Sequence, residues 1–340
     1  MTISNPDLPL VSIVYLAYNQ REALRESLRR MVHESGYPPG RLEVIVVDNA
    51  SADGTSEIVA REHPQVRLVR NERNVGAPGW NAGFAIASGD YVLILDDDAY
   101  LPAGALEQAV RAAEAERADL VSFTVVSAFD PERPLNDDWR TGLLSYWGCA
   151  ALVSRRAIDA LGGYDPNMFI WGNEAELTMR LLDRGFRHLF LPEIVAVHMK
   201  ERIVGWEPRR YRTNARHHAY VAGKLMHTVD AVAVVGNLLV NALITTVAEN
   251  RTAIATLPLT IEGFVEGRRH RAPVRPIVSR AYRDNFRPFA ASWRFVRTPL
   301  ERWRAGGDAA AAHEQRERRQ ERYYAARPRF HPAGRASLSL

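Results

Sequence analysis

Cysteine is almost absent from this chain: Cys149 is the single one in 340 residues. No disulfide framework can form within it, and a reducing compartment is expected. The opening residues, "MTISNPDLPLVSIVYLAYN", lack the basic start, long apolar run and small-residue cleavage site of a secretory leader, so a cytoplasmic location is expected. Glycine-rich phosphate loops are missing as well. The first apolar run passes straight into "AYNQRE", which excludes a dinucleotide fingerprint or a P-loop at that point. No Cys/His cluster has zinc spacing, and no G-x-S-x-G follows a predicted strand, which removes zinc modules and the common serine hydrolases. There is no internal repeat.

What is present is ordinary globular material, 46% hydrophobic and 25% charged, long enough for one large domain or a domain with an appendage. The net charge of +4 hides an asymmetry. Residues 1–265 hold 26 Lys and Arg against 33 Asp and Glu, whereas residues 266–340 hold 18 against 7. An acidic body suits a metal, and a basic end suits an anionic surface.

The first half alternates apolar runs with amphipathic stretches. Strands are predicted at 10–18, 42–49, 66–71 and 91–98, with helices over 21–32 and 55–62 and a short one in "PGWNAGFAIAS". Continuous apolar runs separated by helices indicate a mostly parallel sheet covered on both faces, an α/β fold. Ligands of such sheets bind at the carboxyl ends of the strands. Asp48 and the run Asp96, Asp97, Asp98 stand at two such ends. Further on, a helix over 104–116 and a strand over 120–126 are predicted, followed by an irregular stretch over 130–138. Strands over 146–154, in "RHLFLP" and in "IVAVHM", and helices over 155–163 and 174–184 complete this part.

Three adjacent like charges repel, and one aspartate would suffice to cap the following helix. A hard cation accounts for them better: carboxylates suit Mg²⁺ or Mn²⁺, which can bridge to a substrate diphosphate. Five blocks then occur in order: "VSIVYLAYN", "VIVVDNASADGT", "NVGAPGWNAGF", "LILDDDA" and "FIWGNEAELTMRLLDRGFRHLFLPEIVAVH". Together they resemble the inverting family 2 glycosyltransferases of the GT-A fold, closest in flavour to rhamnosyltransferase-like and galactofuranosyltransferase-like enzymes, over about residues 10–200.

The resemblance implies the following roles. Asp48 would read the nucleotide base, with Ala17, Tyr18 and Asn19 lining the same pocket. Asn74 and Asn81 would lie near the nucleotide, or equally satisfy loop backbone. Asp96 or Asp97 would contact the ribose or the metal, Asp98 would be the direct metal ligand, and His198 would complete the metal site. Glu174 aligns with the catalytic base, although "WGNEAEL" departs from the family's usual E-D-x-D. Trp171 and Glu176 would lie on the acceptor side. With the helix starting at Asn173, Glu176 also has the spacing of a capping box, which leaves Glu174 to face the cleft. The donor would be a UDP- or dTDP-sugar, the acceptor a glycan or a lipid-linked glycan of the cell envelope, and nucleic acid would not be a partner. Natural-product glycosylation, a nucleotidyltransferase of related fold and an inactive binding protein are the alternatives. The last would require a lost metal or base carboxylate, and the nucleotidyltransferase a Gly-Gly-rich turn after the first strand.

The expected domains are a catalytic one over 1–205, a helical extension over 206–300 and a basic tail over 301–340, solvated or disordered. Within the first, about 1–100 would bind the nucleotide and 101–205 the acceptor. Residues 231–248 are apolar for on the order of 27 Å as a helix, near the lower limit for crossing a bilayer. Asn237, Asn241 and Thr245 nevertheless form a polar stripe, which favours packing on protein or lying at an interface. With the basic residues that follow, the extension is expected to hold the enzyme peripherally at the inner face of an anionic membrane.

Overall fold

The computed structural model describes residues 8–135, 144–200, 208–248, 251–285 and 336–338. β1 (Val11–Ala17), β2 (Leu42–Asp48), β3 (Arg67–Arg70) and β4 (Tyr91–Asp96) alternate with α1 (Arg21–Arg29), α2 (Thr55–Glu62) and α3 (Trp80–Phe84). There follow β5 (Ala99–Tyr100), α4 (Ala105–Glu116), β6 (Leu120–Ser127), β7 (Asp130–Pro134), β8 (Ala150–Ser154), α5 (Arg155–Leu161), α6 (Asn173–Asp183) and β9 (His188–His198). The remaining elements are α7 (Pro208–Leu225), α8 (Thr228–Ala248), α9 (Thr256–Arg269), α10 (Pro276–Asn285) and β10 (Ala336–Leu338).

The strands form one mixed sheet in the order β10-β9-β6-β8-β4-β1-β2-β3, with β5 beside β9 and β7 beside β6. The first four strands are mutually parallel where they pair, as their continuous apolar runs require. β8 is antiparallel to both β4 and β6, and β9 is parallel to β6. Alternation along β1 serves two faces. Val11, Ile13 and Tyr15 share a core with Leu24 and Leu28 of α1 and Leu106 and Val110 of α4. On the other face the Trp80 indole of α3 donates to the Val14 carbonyl at 3.2 Å.

Register decides what meets at the carboxyl edge. Ala17 lies opposite Asp48, Leu16 opposite Asp96, and Asp48 opposite Arg70, so the four parallel strands end together. Three expectations are corrected. "RHLFLP" and "IVAVHM" are one strand, β9, whose pairing with β6 jumps from Leu191 to Val195. Pro192 lies in that jump and has no N–H to give the ladder, so the strand bulges there and resumes. The strand expected over 146–154 begins only at Ala150, because residues 147–150 form a turn closed by the Ala150 N–H on the Trp147 carbonyl. Residues 130–134 pair as β7, and 136–143 lie outside the described residues.

The chain divides into two compact units. One contains residues 1–205, 272–285 and 335–340, and the other 206–271 and 286–334. Most of the tail expected over 301–340 lies outside the described residues, but Ala336–Leu338 adds an edge strand to β9. In the second unit α8 turns its polar stripe inward. The Asn241 amide donates to the Tyr211 hydroxyl at 2.8 Å, and that hydroxyl lies 2.9 Å from Thr245 Oγ1. The opposite face of α8 carries exposed Val229, Val232, Val240, Leu243 and Val247.

Candidate active site

The aspartate run is a turn between β4 and β5, and it is pinned by the far end of β9. Ala99 pairs with His198, and the Met199 N–H donates to the Asp98 carbonyl at 2.7 Å. This long-range pairing brings His198 to the aspartates. His198 Nε2 lies 2.9 Å from Asp98 Oδ1 and 3.9 Å from Asp96 Oδ2, and one ligand atom from each residue falls within 4.8 Å of the others. Burial pushes the Asp96 carboxyl up to about 6, and the neighbouring charge of Asp98 adds to it. Burial alone would raise Asp98 too, but its hydrogen bond and charge contact with His198 outweigh that and hold it below the usual range. Burial lowers His198 and the two carboxylates overcome it, so its pKa is raised.

Two crowded carboxylates and one imidazole, partly withdrawn from water, fit a divalent cation. Its charge would relieve the repulsion that burial amplifies. His198 Nδ1, the nitrogen turned away from the two aspartates, is buried without a hydrogen-bond partner among the described residues. Asp97 points elsewhere. Its carboxylate accepts the Tyr18 N–H at 2.8 Å and braces the end of β1. Burial, then Asp98, pushes its pKa well up.

At the end of β2, Asp48 is buried. It accepts the Ser51 N–H at 2.8 Å and the Ser56 hydroxyl, so it orders the loop ahead of α2. Each oxygen keeps a further lone pair. Ala17 is buried, with its carbonyl taken by the Asn49 N–H, whereas Tyr18 is 45% exposed at the edge. Asn19, at φ 54°, donates its N–H to Ser51 Oγ at 3.0 Å and accepts the Ala52 N–H at 2.8 Å. Asn74 and Asn81 both bond to neighbouring loops. Asn74 Oδ1 accepts from the Asn49 amide and the Gly76 N–H, both at 2.8 Å. Asn81 clasps the Tyr164 backbone, donating to its carbonyl and accepting its N–H at 2.8 Å each.

α6 starts one residue earlier than a cap at Asn173 requires. Gly172, at φ 83°, is the cap residue and supplies no side chain, so there is no capping box. Glu176 is corrected from the acceptor surface to the core. It is fully buried and ion-paired at 2.7 Å with Arg180, which also donates to the Leu161 and Gly163 carbonyls. Glu174 is half-buried. Burial raises its pKa to about 7, opposed by nearby backbone N–H groups of Glu174 and Gly172 and reinforced by the charge of Asp96. Trp171 is half-buried with φ 62°, a left-handed conformation unusual for a bulky residue.

The sequence model described as "Glycosyl transferase family 2" matches residues 12–169. This part of the chain is a family 2 glycosyltransferase domain. The probable glycosyltransferase YdaM of Bacillus subtilis is 27% identical over 65% of this chain and 58% of its own length. The succinoglycan biosynthesis protein ExoA of Rhizobium meliloti is 32% identical over 49% of this chain and 55% of its own. The chain thus spans little more than half the length of these two relatives. The solved mannosyltransferase PcManGT of Pyrobaculum calidifontis, in complex with GDP-Man and Mn²⁺, superimposes with a TM-score of 0.53 at 20% identity, over 87% of each chain. The likeness is one of fold, and that fold is GT-A.

Four residues around the candidate site escaped sequence reasoning. Asn49 ties three loop segments together: its N–H donates to Ala17, its amide donates to Gly76, and its Oδ1 accepts from Asn71 and Val75. Tyr146 and Tyr164 pair their hydroxyls in the core near Glu174. Gly148 lies against Glu174. The glycine in "YWGCA" ahead of a strand was the visible signal for the last, and nothing local marked the others.

Proposed function

We propose that the chain is a metal-dependent inverting glycosyltransferase. It would transfer a sugar from a UDP- or dTDP-sugar to a hydroxyl of a glycan or lipid-linked glycan in polysaccharide assembly. The observation that supports this most is the pairing of an acidic cation site, Asp96, Asp98 and His198, with a carboxylate of raised pKa, Glu174, within electrostatic reach of Asp96. Asp96, Asp98 and His198 would hold Mg²⁺ or Mn²⁺, which supplies Lewis-acid stabilisation of the diphosphate leaving group. Glu174 accepts the proton of the acceptor hydroxyl as that oxygen bonds to the anomeric carbon. The bond from that carbon to the diphosphate oxygen breaks on the opposite side, so the configuration inverts and no glycosyl-enzyme forms. Asp48 accepts the N3–H of uracil or thymine, and Ala17, Tyr18 and Asn19 line that pocket. Trp171 borders the acceptor.

The exposed apolar face of α8 supports peripheral attachment to the inner face of a membrane, where lipid-linked acceptors lie. Satisfaction of Asn241 and Thr245 by Tyr211 supports lying at the interface rather than crossing it. A screen of UDP-, dTDP- and GDP-sugars, each with Mn²⁺, Mg²⁺ or EDTA, tests the reading. Release of UDP or dTDP that stops with EDTA is expected. Turnover with GDP-sugars alone, or undiminished in EDTA, would refute it.

A further inference from the structure

The turn Tyr146–Cys149 touches both chemical centres of the proposed reaction. Tyr146, at its start, is buried with its hydroxyl on that of Tyr164. Cys149, at its end, accepts the Asp96 N–H on its carbonyl at 3.1 Å. Between them, a Cβ placed on Gly148 would stand 2.3 Å from Glu174 Oε1, 3.3 Å from Cδ and 3.5 Å from Cγ. Gly148 does not have a left-handed φ, so its backbone makes no demand for glycine. The demand comes from the space that the Glu174 carboxylate occupies.

We infer that Gly148 is a positioning residue for Glu174. Its missing side chain leaves the seat in which the carboxylate rests, and the residue after it anchors Asp96. Adjacent residues of one turn thereby set the base and a metal-site aspartate relative to each other. This rests on the reading of Glu174 as the base. The contact is with the far end of a flexible side chain, so an alanine at 148 can be accommodated by swinging Glu174 aside. The fold then survives while the base leaves its place, which separates a positioning role from a packing one.

The experiment compares Gly148→Ala with wild type, with Glu174→Gln and with Gly40→Ala, whose Cβ would meet nothing within 4 Å. Gly148→Ala is expected to melt like wild type and to keep its donor KM within about twofold, while kcat falls by about 10²-fold, the scale of a general base. Gly40→Ala should change none of these. Glu174→Asp is one methylene shorter and withdraws from the added methyl, so Gly148→Ala should cost much less in that background. Near wild-type kcat in Gly148→Ala beside an inactive Glu174→Gln would overturn the positioning role and leave the base reading intact. An active Glu174→Gln would overturn both. If Gly148→Ala does not fold, the double variant with Glu174→Asp must recover folding, and failure to do so overturns the inference.

Discussion

Glu174 and Glu176 stand two residues apart on α6, so their side chains leave the helix about 200° apart. One is half-buried, and the other is buried against Arg180 in the core. Glu174→Gln should lower transfer by about 10²-fold or more while donor and metal still bind, checked by kcat beside equilibrium titration. The base works ionised, so kcat/KM should climb with pH to a plateau above about 7. Stability carries the opposite sign. A carboxyl whose pKa rises from 4.5 to about 7 on folding favours the fold at low pH and loses that advantage as pH passes about 7. Glu174→Gln should therefore match wild type in melting at about pH 4 and exceed it above about pH 8. The gain is at most about 3 kcal/mol, trimmed by the part of the side chain open to solvent. Glu176→Gln should do the reverse at neutral pH. It weakens a buried ion pair and should destabilise by on the order of 2–3 kcal/mol, with a far smaller loss of kcat. Asp98→Asn removes both a hard ligand and the partner of His198, so calorimetric Mn²⁺ binding and transfer should vanish together.

The loops that carry these residues are joined to one another. Gly76, at φ 71°, approaches Phe169 so closely that a Cβ would stand 1.9 Å from the Phe169 carbonyl oxygen, which already accepts the Ala77 N–H at 2.7 Å. With Asn81 on Tyr164, the segment 74–81 is held to 163–172, the approach to α6. Gly76→Ala meets backbone, which cannot swing aside, and adds left-handed strain. It should destabilise by more than about 2 kcal/mol in thermal or urea melts, unlike Gly148→Ala. Much of this framework was legible beforehand. Apolar runs ending on Asp48 and Asp96 marked both the parallel strands and their functional edge. Asn74 and Asn81 were not resolvable, because an amide that serves a nucleotide and one that serves a loop carbonyl look alike until the facing backbone is known.

The second unit carries its own surface chemistry. α8 satisfies its polar stripe on α7 and leaves a row of exposed valine and leucine, with Val247 87% exposed. A helix apolar enough to cross a membrane, of which only 33% is buried, is unlike the core helix of a soluble domain. Vesicle sedimentation is expected for the full chain, stronger with anionic lipid and weakened by salt. Val240→Asp with Leu243→Asp should abolish it without changing turnover on a water-soluble acceptor. Retained sedimentation in that variant would place the membrane contact elsewhere.

The four parallel strands of the first half, their acidic carboxyl edge and the opposite directions of the two glutamates were determined by sequence alone, because period and adjacency are local properties. Only the tertiary structure decided which aspartates meet His198. That choice depends on β5 pairing with the end of β9, about a hundred residues away, and on the bulge at Pro192 that shifts the register. The same holds for Gly148. Its use is a space, and a space exists only once Glu174 on another element has been packed into it.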